Sequence, residues 1–364
     1  FFPHFMLADE VARIAELEGQ FGFVKNSAAD LATVPKGLAG ITKAHSEVNT
    51  TPWKFISLVI CMMAGTASLP HVMMRYFTSP SVKSARRSVA WSLFFIFLLY
   101  STAPMLATLS KLSLMDPTLA TGIIGKPIAE VQQIDWYQNW NQAKLMYVSD
   151  FNGNGTLELN EFFMGGKAVV LATPEIAGLP YVISGLVAAG GMAAAMSTAD
   201  GLVLAIANAL SHDLYYKIID PKAETAKRLI VARVLLVLIG FAGATIAAMK
   251  IQGILGSVIW AFDFAMSGLF FPLVLGVWWK RANKQGAVAG MLLGLASGTA
   301  YLVWVRNGGA GFWGVTQLTF GIVGSLVSLV SMVVVSLITP APDAKTQAMV
   351  DEVRIPSGRT VTGN

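Results

Sequence analysis

The sequence predicts an all-α polytopic membrane protein, and three observations predict it. Of its 364 residues, 54% are hydrophobic and only 13% charged, against about 25% charged in an ordinary soluble domain. Seven stretches are apolar enough and long enough, at about 20 residues, to cross a hydrocarbon core. Those stretches are continuously apolar rather than alternating, which selects helices over a β-barrel. A soluble globular chain and a disordered one are both excluded by the same composition.

The spans are expected at roughly 54–75, 88–110, 177–212, 228–249, 254–279, 285–305 and 312–338. The third is too long for one straight crossing and is expected to continue as helix beyond the membrane. Orientation follows from the basic residues. Arg75, Lys83, Arg86 and Arg87 follow the first span, Lys217, Lys222, Lys227 and Arg228 the third, and Lys280, Arg281 and Lys284 the fifth. The loops on the other side are poorer in base, with Lys250 after the fourth span and Arg306 after the sixth. The positive-inside rule then places residues 1–52 and 111–176 outside and the tail, 339–364, in the cytoplasm. This accounts for the net charge of +5 without a nucleic-acid partner; the surroundings are membrane lipid. A chain that opens on Phe1, outside, with an odd number of spans predicts further membrane segments upstream.

The single Cys61 and four scattered histidines leave no internal disulfide and no multi-cysteine or HExxH zinc site. There is no phosphate-binding Gly loop, no GxSxG and no Ser/His/Asp set, so an enzyme is not expected.

The external stretch 111–176 carries the most specific short motif. Residues 150–161, Asp-Phe-Asn-Gly-Asn-Gly-Thr-Leu-Glu-Leu-Asn-Glu, follow the EF-hand loop pattern throughout. Calcium would take oxygens from Asp150, Asn152 and Asn154, the carbonyl of Thr156, Glu158, and both oxygens of Glu161, with Gly155 at the sharp turn. With three carboxylates and no second EF-hand in the sequence, the expected affinity is weak and the role structural. The competing reading is a solvated Asn/Gly turn. Trp136, Tyr137 and Trp140 mark an amphipathic helix nearby.

Polar groups at membrane depth are expensive and point to function. In the first span, Gly65-Thr66-Ala67-Ser68-Leu69-Pro70-His71 breaks the helix at Pro70, since proline lacks the amide and clashes with the preceding turn. Broken helices at the midplane are where transporters bind substrate. Thr66, Ser68, Pro70 and His71 are therefore candidate substrate residues; a plain proline kink with a core histidine is the other reading. Arg75 reads as an inside anchor or a ligand. In the third span, Gly190 to Gly201 holds Ser197 and Thr198 among small residues, and Asp200. Hydroxyls and carbonyls suit an alkali cation, while small residues also suit close helix packing. Asp200 needs a cation, a proton or a basic partner. Asp263 stands in an aromatic run, Trp260 to Phe264, and either lines a route or meets a neighbouring helix.

These clusters resemble the sodium:solute symporter family, from about residue 53 to 338. The likeness is strongest at Ala194-Ala195-Met196-Ser197-Thr198 with Asn208-Ala209-Leu210-Ser211-His212-Asp213-Leu214-Tyr215. Pro70-His71 with Arg75, and Phe271-Pro272-Leu273-Val274-Leu275-Gly276 leading to Trp279-Lys280-Arg281, add to it. Residues 172–180 and Ser197-Thr198-Ala199-Asp200-Gly201 resemble the bacterial acetate/monocarboxylate permease branch. The resemblance implies a LeuT-like architecture of two inverted five-helix repeats. Spans one to five would be the second repeat, spans six and seven peripheral, and the N-terminal repeat missing from this chain. It implies a sodium ion held by the Ala194 carbonyl and the Ser197 and Thr198 hydroxyls, with further ligands from the missing repeat, and a possible second cation or proton site at Asp200. Thr66 replaces the bulky aromatic gate of the proline-permease group, which implies a smaller substrate. The implied function is sodium-coupled import of a small organic anion, most simply a short monocarboxylate such as acetate, propionate or pyruvate, across the bacterial inner membrane. The alternatives are a proton-coupled carrier using Asp200 and a membrane sensor built on the same fold.

Overall fold

The computed structural model describes residues 51–354 apart from 78, 160, 166–167 and 250–252, together with positions 9, 12, 13 and 16. The expected external segment 1–52 therefore lies almost wholly outside the described residues, as do residues 355–364 of the tail.

Among the described residues the chain is helical, with six helices long and apolar enough to cross a membrane and a shorter apolar helix before them. The shorter one, α1 (Pro52–Ser68), begins at Thr51, whose hydroxyl accepts from the Lys54 amide. Its 17 residues rise roughly 26 Å at 1.5 Å each, short of a full crossing. The chain breaks at Leu69, extended at φ −72° and ψ 117°, and resumes as α2 (Pro70–Phe77). The proline break in the first span is thus present. The long helix α3 (Val82–Met115) follows, carrying Pro104 inside it.

Two compact units divide the chain: residues 1–46 with 89–197, and residues 47–88 with 198–364. In the first unit, the stretch after α3 folds around its own core rather than trailing as a loop. Short helices α4 (Ile128–Val131) and α5 (Asp135–Gln142), the antiparallel pair β1 (Met146–Val148) and β2 (Phe162–Met164), and α6 (Val169–Ile176) enclose Leu114, Ile123, Ile124, Val131, Tyr137, Met146, Leu157 and Phe162. Trp140 Nε1 donates to Glu175 at 2.9 Å, joining α5 to α6. The Val148 amide and the Asn141 side chain both donate to the Tyr137 hydroxyl.

Asp116 ties this unit together. Arg13 Nε donates to it at 3.1 Å, and the Thr118 amide and hydroxyl at 2.9 and 2.7 Å. Arg13 first, then Thr118, holds the carboxyl down to about 2, below the usual 3.9 or so. A folded-state value below the unfolded one gives stability that is present above about pH 4 and lost as pH falls towards 2. Thermal unfolding of this unit should therefore weaken across that window, and Asp116→Asn should flatten the acid limb. An unchanged acid limb in Asp116→Asn would remove the pair from the account.

The second spanning set begins with α7 (Tyr181–Asn208), which continues without interruption as a π-helical stretch, Ala209–Ile219. The expected extension beyond a single crossing is thus observed. Then come α8 (Thr225–Ala248), α9 (Ile254–Ala265) running through a π-helical turn, Met266–Phe270, into α10 (Phe271–Trp278), and α11 (Lys284–Arg306). The last span is shorter than its apolar stretch predicts. Residues 312–320 are not part of it: a 3₁₀ turn, Phe312–Gly314, with Gly314 at φ 72° precedes α12 (Gly321–Ile338). Three side chains hold that turn. Trp53 Nε1 donates to the Trp313 carbonyl, Trp260 Nε1 to Gln317, and the Tyr301 hydroxyl to Val315.

Within the second unit, α11 and α12 pack through small residues. Asn283 caps α11 by accepting from the Gly286 amide at 2.8 Å, and its amide donates to Thr339 and Pro340 beyond α12. The short helix α13 (Ala344–Arg354) docks through Arg354, which donates to the carbonyls of Val277 and Trp278.

Candidate functional site

The residues predicted to meet substrate do not share one surface. Thr66 is exposed and Ser68 fully buried, because two positions apart on a helix point to different sides. Each hydroxyl donates to its own helix, Thr66 to the Met62 carbonyl and Ser68 to that of Ala64, both at 2.6 Å. This four-back bonding satisfies a hydroxyl locally and bends helices, in keeping with the break that follows. Gly65, also buried, lies against Phe262 of α9: a Cβ there would stand 2.6 Å from the Phe262 Cβ and carbonyl oxygen. His71 is half-buried. The side chain of Arg75 lies outside the described residues.

Pro70 lines an open cavity of about 700 Å³ in the second unit, with Met74 on α2, Asn208 at the end of α7, and His212 and Asp213 on the π-helical stretch. His212 Nδ1 lies 3.0 Å from Asp213 Oδ1, and Lys217 donates to the same oxygen at 3.2 Å. Asn208, His212 and Asp213 did not stand out as site residues by chemistry alone. His212 and Asp213 stand on the π-helical stretch, a winding frequent at functional sites, and Asn208 precedes it directly. Its signal in the sequence was the unusual length of the third span.

Ala194, Ser197 and Thr198 lie on one helix, α7. The Ser197 hydroxyl donates to the Ala194 carbonyl at 3.0 Å, so two of the three expected sodium ligands are adjacent. All three, and Asp200 one turn on, are exposed.

The loop 150–161 has the expected EF-hand turns, with Gly153 at φ 70° and Gly155 at φ 69°. Asp150 accepts from the Gly153 and Gly155 amides at 2.8 and 3.0 Å. Glu161, 1% exposed, accepts from the amides of Phe151 and Glu158 at 2.9 and 3.0 Å. Glu158 accepts instead from the amides of the Asn152 and Asn154 side chains. Leu157 is fully buried, and its amide and carbonyl pair with Lys126 and Gly125 at 2.8 Å. Among the described residues no three His, Cys, Asp or Glu side chains are gathered closely enough to hold a metal ion.

One long helix thus carries Ala194, Ser197 and Thr198, and a broken helix, α1/α2, lines a cavity. Residues 167–294 match the sodium:solute symporter family. A described but uncharacterized symporter of Cupriavidus necator is 41% identical over 307 residues, which is 82% of this chain and 44% of that protein. A monocarboxylic acid transporter of Corynebacterium glutamicum is 27% identical over 250 residues, 68% of this chain and 38% of that protein. The chain thus spans less than half the length of these curated relatives. The symporter-family match covers the sodium-site candidates on α7 and all of α8–α10; it leaves out α1, α2 and the loop 150–161.

Proposed function

We propose that this chain is part of a sodium-coupled symporter that imports a small organic anion, a short monocarboxylate such as acetate, propionate or pyruvate, by alternating access. The observation that carries the reading is the family match over α7, where the Ala194 carbonyl and two adjacent hydroxyls, Ser197 and Thr198, are presented together. Oxygens of this kind replace the water of a small cation. The transporter of Corynebacterium glutamicum supports the monocarboxylate class. In this reading substrate binds beside the α1/α2 break, near Thr66, Ser68, Pro70 and His71, and leaves through the cavity that Pro70 shares with Asn208. The remaining sodium ligands and half of the substrate site come from an N-terminal repeat, completing a LeuT-like arrangement in the bacterial plasma membrane. Residues 1–52 and 111–176 face outwards and the C-terminus the cytoplasm, as the basic loops direct.

The test uses the full-length parent protein in lipid vesicles, with labelled acetate uptake driven by an inward sodium gradient or by a proton gradient alone. Sodium-driven uptake is expected. Uptake driven only by protons would transfer coupling to an acid such as Asp200, and no uptake of any monocarboxylate would sink the substrate class.

The loop 150–161 is read as a weak structural calcium site. It is supported by its full match to the EF-hand pattern, by the turns at Gly153 and Gly155, and by the Gly125–Lys126 segment pairing with Leu157 as a second loop would. Binding would require the Asn152 and Asn154 side chains to turn their oxygens inwards and release Glu158. Millimolar calcium should then raise the unfolding temperature of the first unit, and Asp150→Asn should abolish the rise. Identical shifts with magnesium, or none with calcium, would leave the loop a solvated turn.

A further inference from the structure

The fully buried acid of the second unit is Asp263, on α9 at membrane depth. It is 0% exposed, and neither carboxyl oxygen has a partner at hydrogen-bonding geometry. Three elements close around it. From α1 comes Cys61, also 0% exposed. From α12 comes Gly321, where a Cβ would stand 2.8 Å from Asp263 Oδ1. From its own helix comes Ser267, whose hydroxyl is already committed to the Asp263 backbone carbonyl at 2.7 Å. The Cys61 thiol and the amides of Phe320 and Gly321 face the carboxyl.

An ionised carboxylate here would lack a counter-charge. α12 carries no charged residue, and α9 carries none besides Asp263; α1 has Lys54 in its first turn, and α11 has its charges, Lys284 and Arg306, at its ends. The Arg306 guanidinium stacks 5.3 Å from the Trp260 ring, one turn before Asp263. The start of α12 offers only the partial positive charge of a helix end, roughly half an elementary charge, against the desolvation of a whole one. An acid inside a membrane bundle therefore holds a cation. The packing excludes an alkali ion. Gly321 stands against Oδ1 with no room there for even a methyl group, and among the described residues no three His, Cys, Asp or Glu side chains gather around it. What fits is the smallest cation.

We propose that Asp263 is a proton-binding site of the transmembrane bundle, occupied in this packing and exchanging its proton with water only when α1 or α12 draws away from α9. The reaction is a simple transfer between water and the carboxylate. The inference rests on packing alone and not on the identity of the solute or the sodium site.

The test is infrared spectroscopy of the chain in lipid vesicles, grown with isotope-labelled aspartate. At neutral pH a carboxylic C=O band should be present, shift with the aspartate label, and disappear in Asp263→Asn. If Asp263→Asn does not fold, the wild-type label shift decides, because the other buried aspartate among the described residues, Asp116, is ion-paired with Arg13. Absence of a label-sensitive band, or its survival in folded Asp263→Asn, overturns the proposal. So does its conversion to a carboxylate band on adding sodium at constant pH, which would make the occupant an alkali ion.

Discussion

Gly294→Ala is expected to destabilise the second unit by about 3 kcal/mol, the upper end of what one added methyl does in a packed interior. Gly286, Gly290, Gly294 and Gly298 recur every fourth residue along α11 and are all buried. In a membrane such small residues let two helix backbones approach closely, and van der Waals contact then holds them. A Cβ at Gly294 would collide with the Ser267 carbonyl oxygen and lie 2.7 Å from the Ser328 Cβ and 3.1 Å from the Gly324 carbonyl oxygen. Two of these three atoms are backbone, so no rotamer change relieves the clash; α11 must move away from α12 or from the π-helical turn after α9. Gly290→Ala meets its nearest neighbours, the Met332 Cβ and the Ser328 carbonyl oxygen, only at 3.0 Å and should lose less. Gly276→Ala is the control. Nothing lies within 4 Å of a Cβ there, and alanine is the better helix former, so its effect should be near zero or slightly stabilising. Thermal unfolding in detergent ranks the three. A Gly294→Ala midpoint equal to that of Gly276→Ala would mean that the α11–α12 contact is looser than the geometry states.

The same contact shows which features were legible in the sequence. Spans were legible because each is set by its own composition, and the break at Pro70 because one residue type imposes it. The turns of the loop 150–161 were legible from two glycines and three Asx residues at fixed spacing. The core that follows α3 was not, because Leu157 and Leu159 gain meaning only against Ile123, Val131 and Met146, elsewhere in the chain. Nor was the truncation of the last span, since residues 312–320 are apolar enough for helix and are held out of it by Trp53, Trp260 and Tyr301. The four-residue glycine period on α11 stands in the sequence, but which helix it meets does not. Asp263 marks the limit most clearly. Its own segment shows an acid among aromatics, but the face it turns to is decided by glycines on α1 and α12. The placement of the substrate candidates was hidden for the opposite reason: Thr66 and Ser68 are near neighbours in sequence, and helical winding sends them to different sides.

Replacing both hydroxyls, Ser197→Ala with Thr198→Ala, should carry the largest effect on transport. A neutral group that holds a charged one contributes about 1.5–3 kcal/mol, or on the order of 10- to 100-fold in affinity for each hydroxyl. The apparent sodium affinity of uptake should fall accordingly in each single variant and sodium dependence should be lost in the double. Because binding linkage is reciprocal, substrate affinity should lose its response to sodium by the same factor. The structure also offers these hydroxyls a humbler role, since Ser197 already donates to the Ala194 carbonyl at 3.0 Å and thereby satisfies itself within α7. The two roles separate by comparison with Thr245→Ala on α8, whose hydroxyl makes the same kind of bond, to Phe241 at 2.9 Å. A hydroxyl that only completes its own helix changes stability slightly and sodium affinity not at all, in α7 as in α8. A hydroxyl that takes the place of water around sodium changes the sodium dependence with little change in unfolding temperature. If Ser197→Ala and Thr198→Ala behave like Thr245→Ala, the coupling ion is not held at this point of α7, and the symporter reading must find its cation elsewhere.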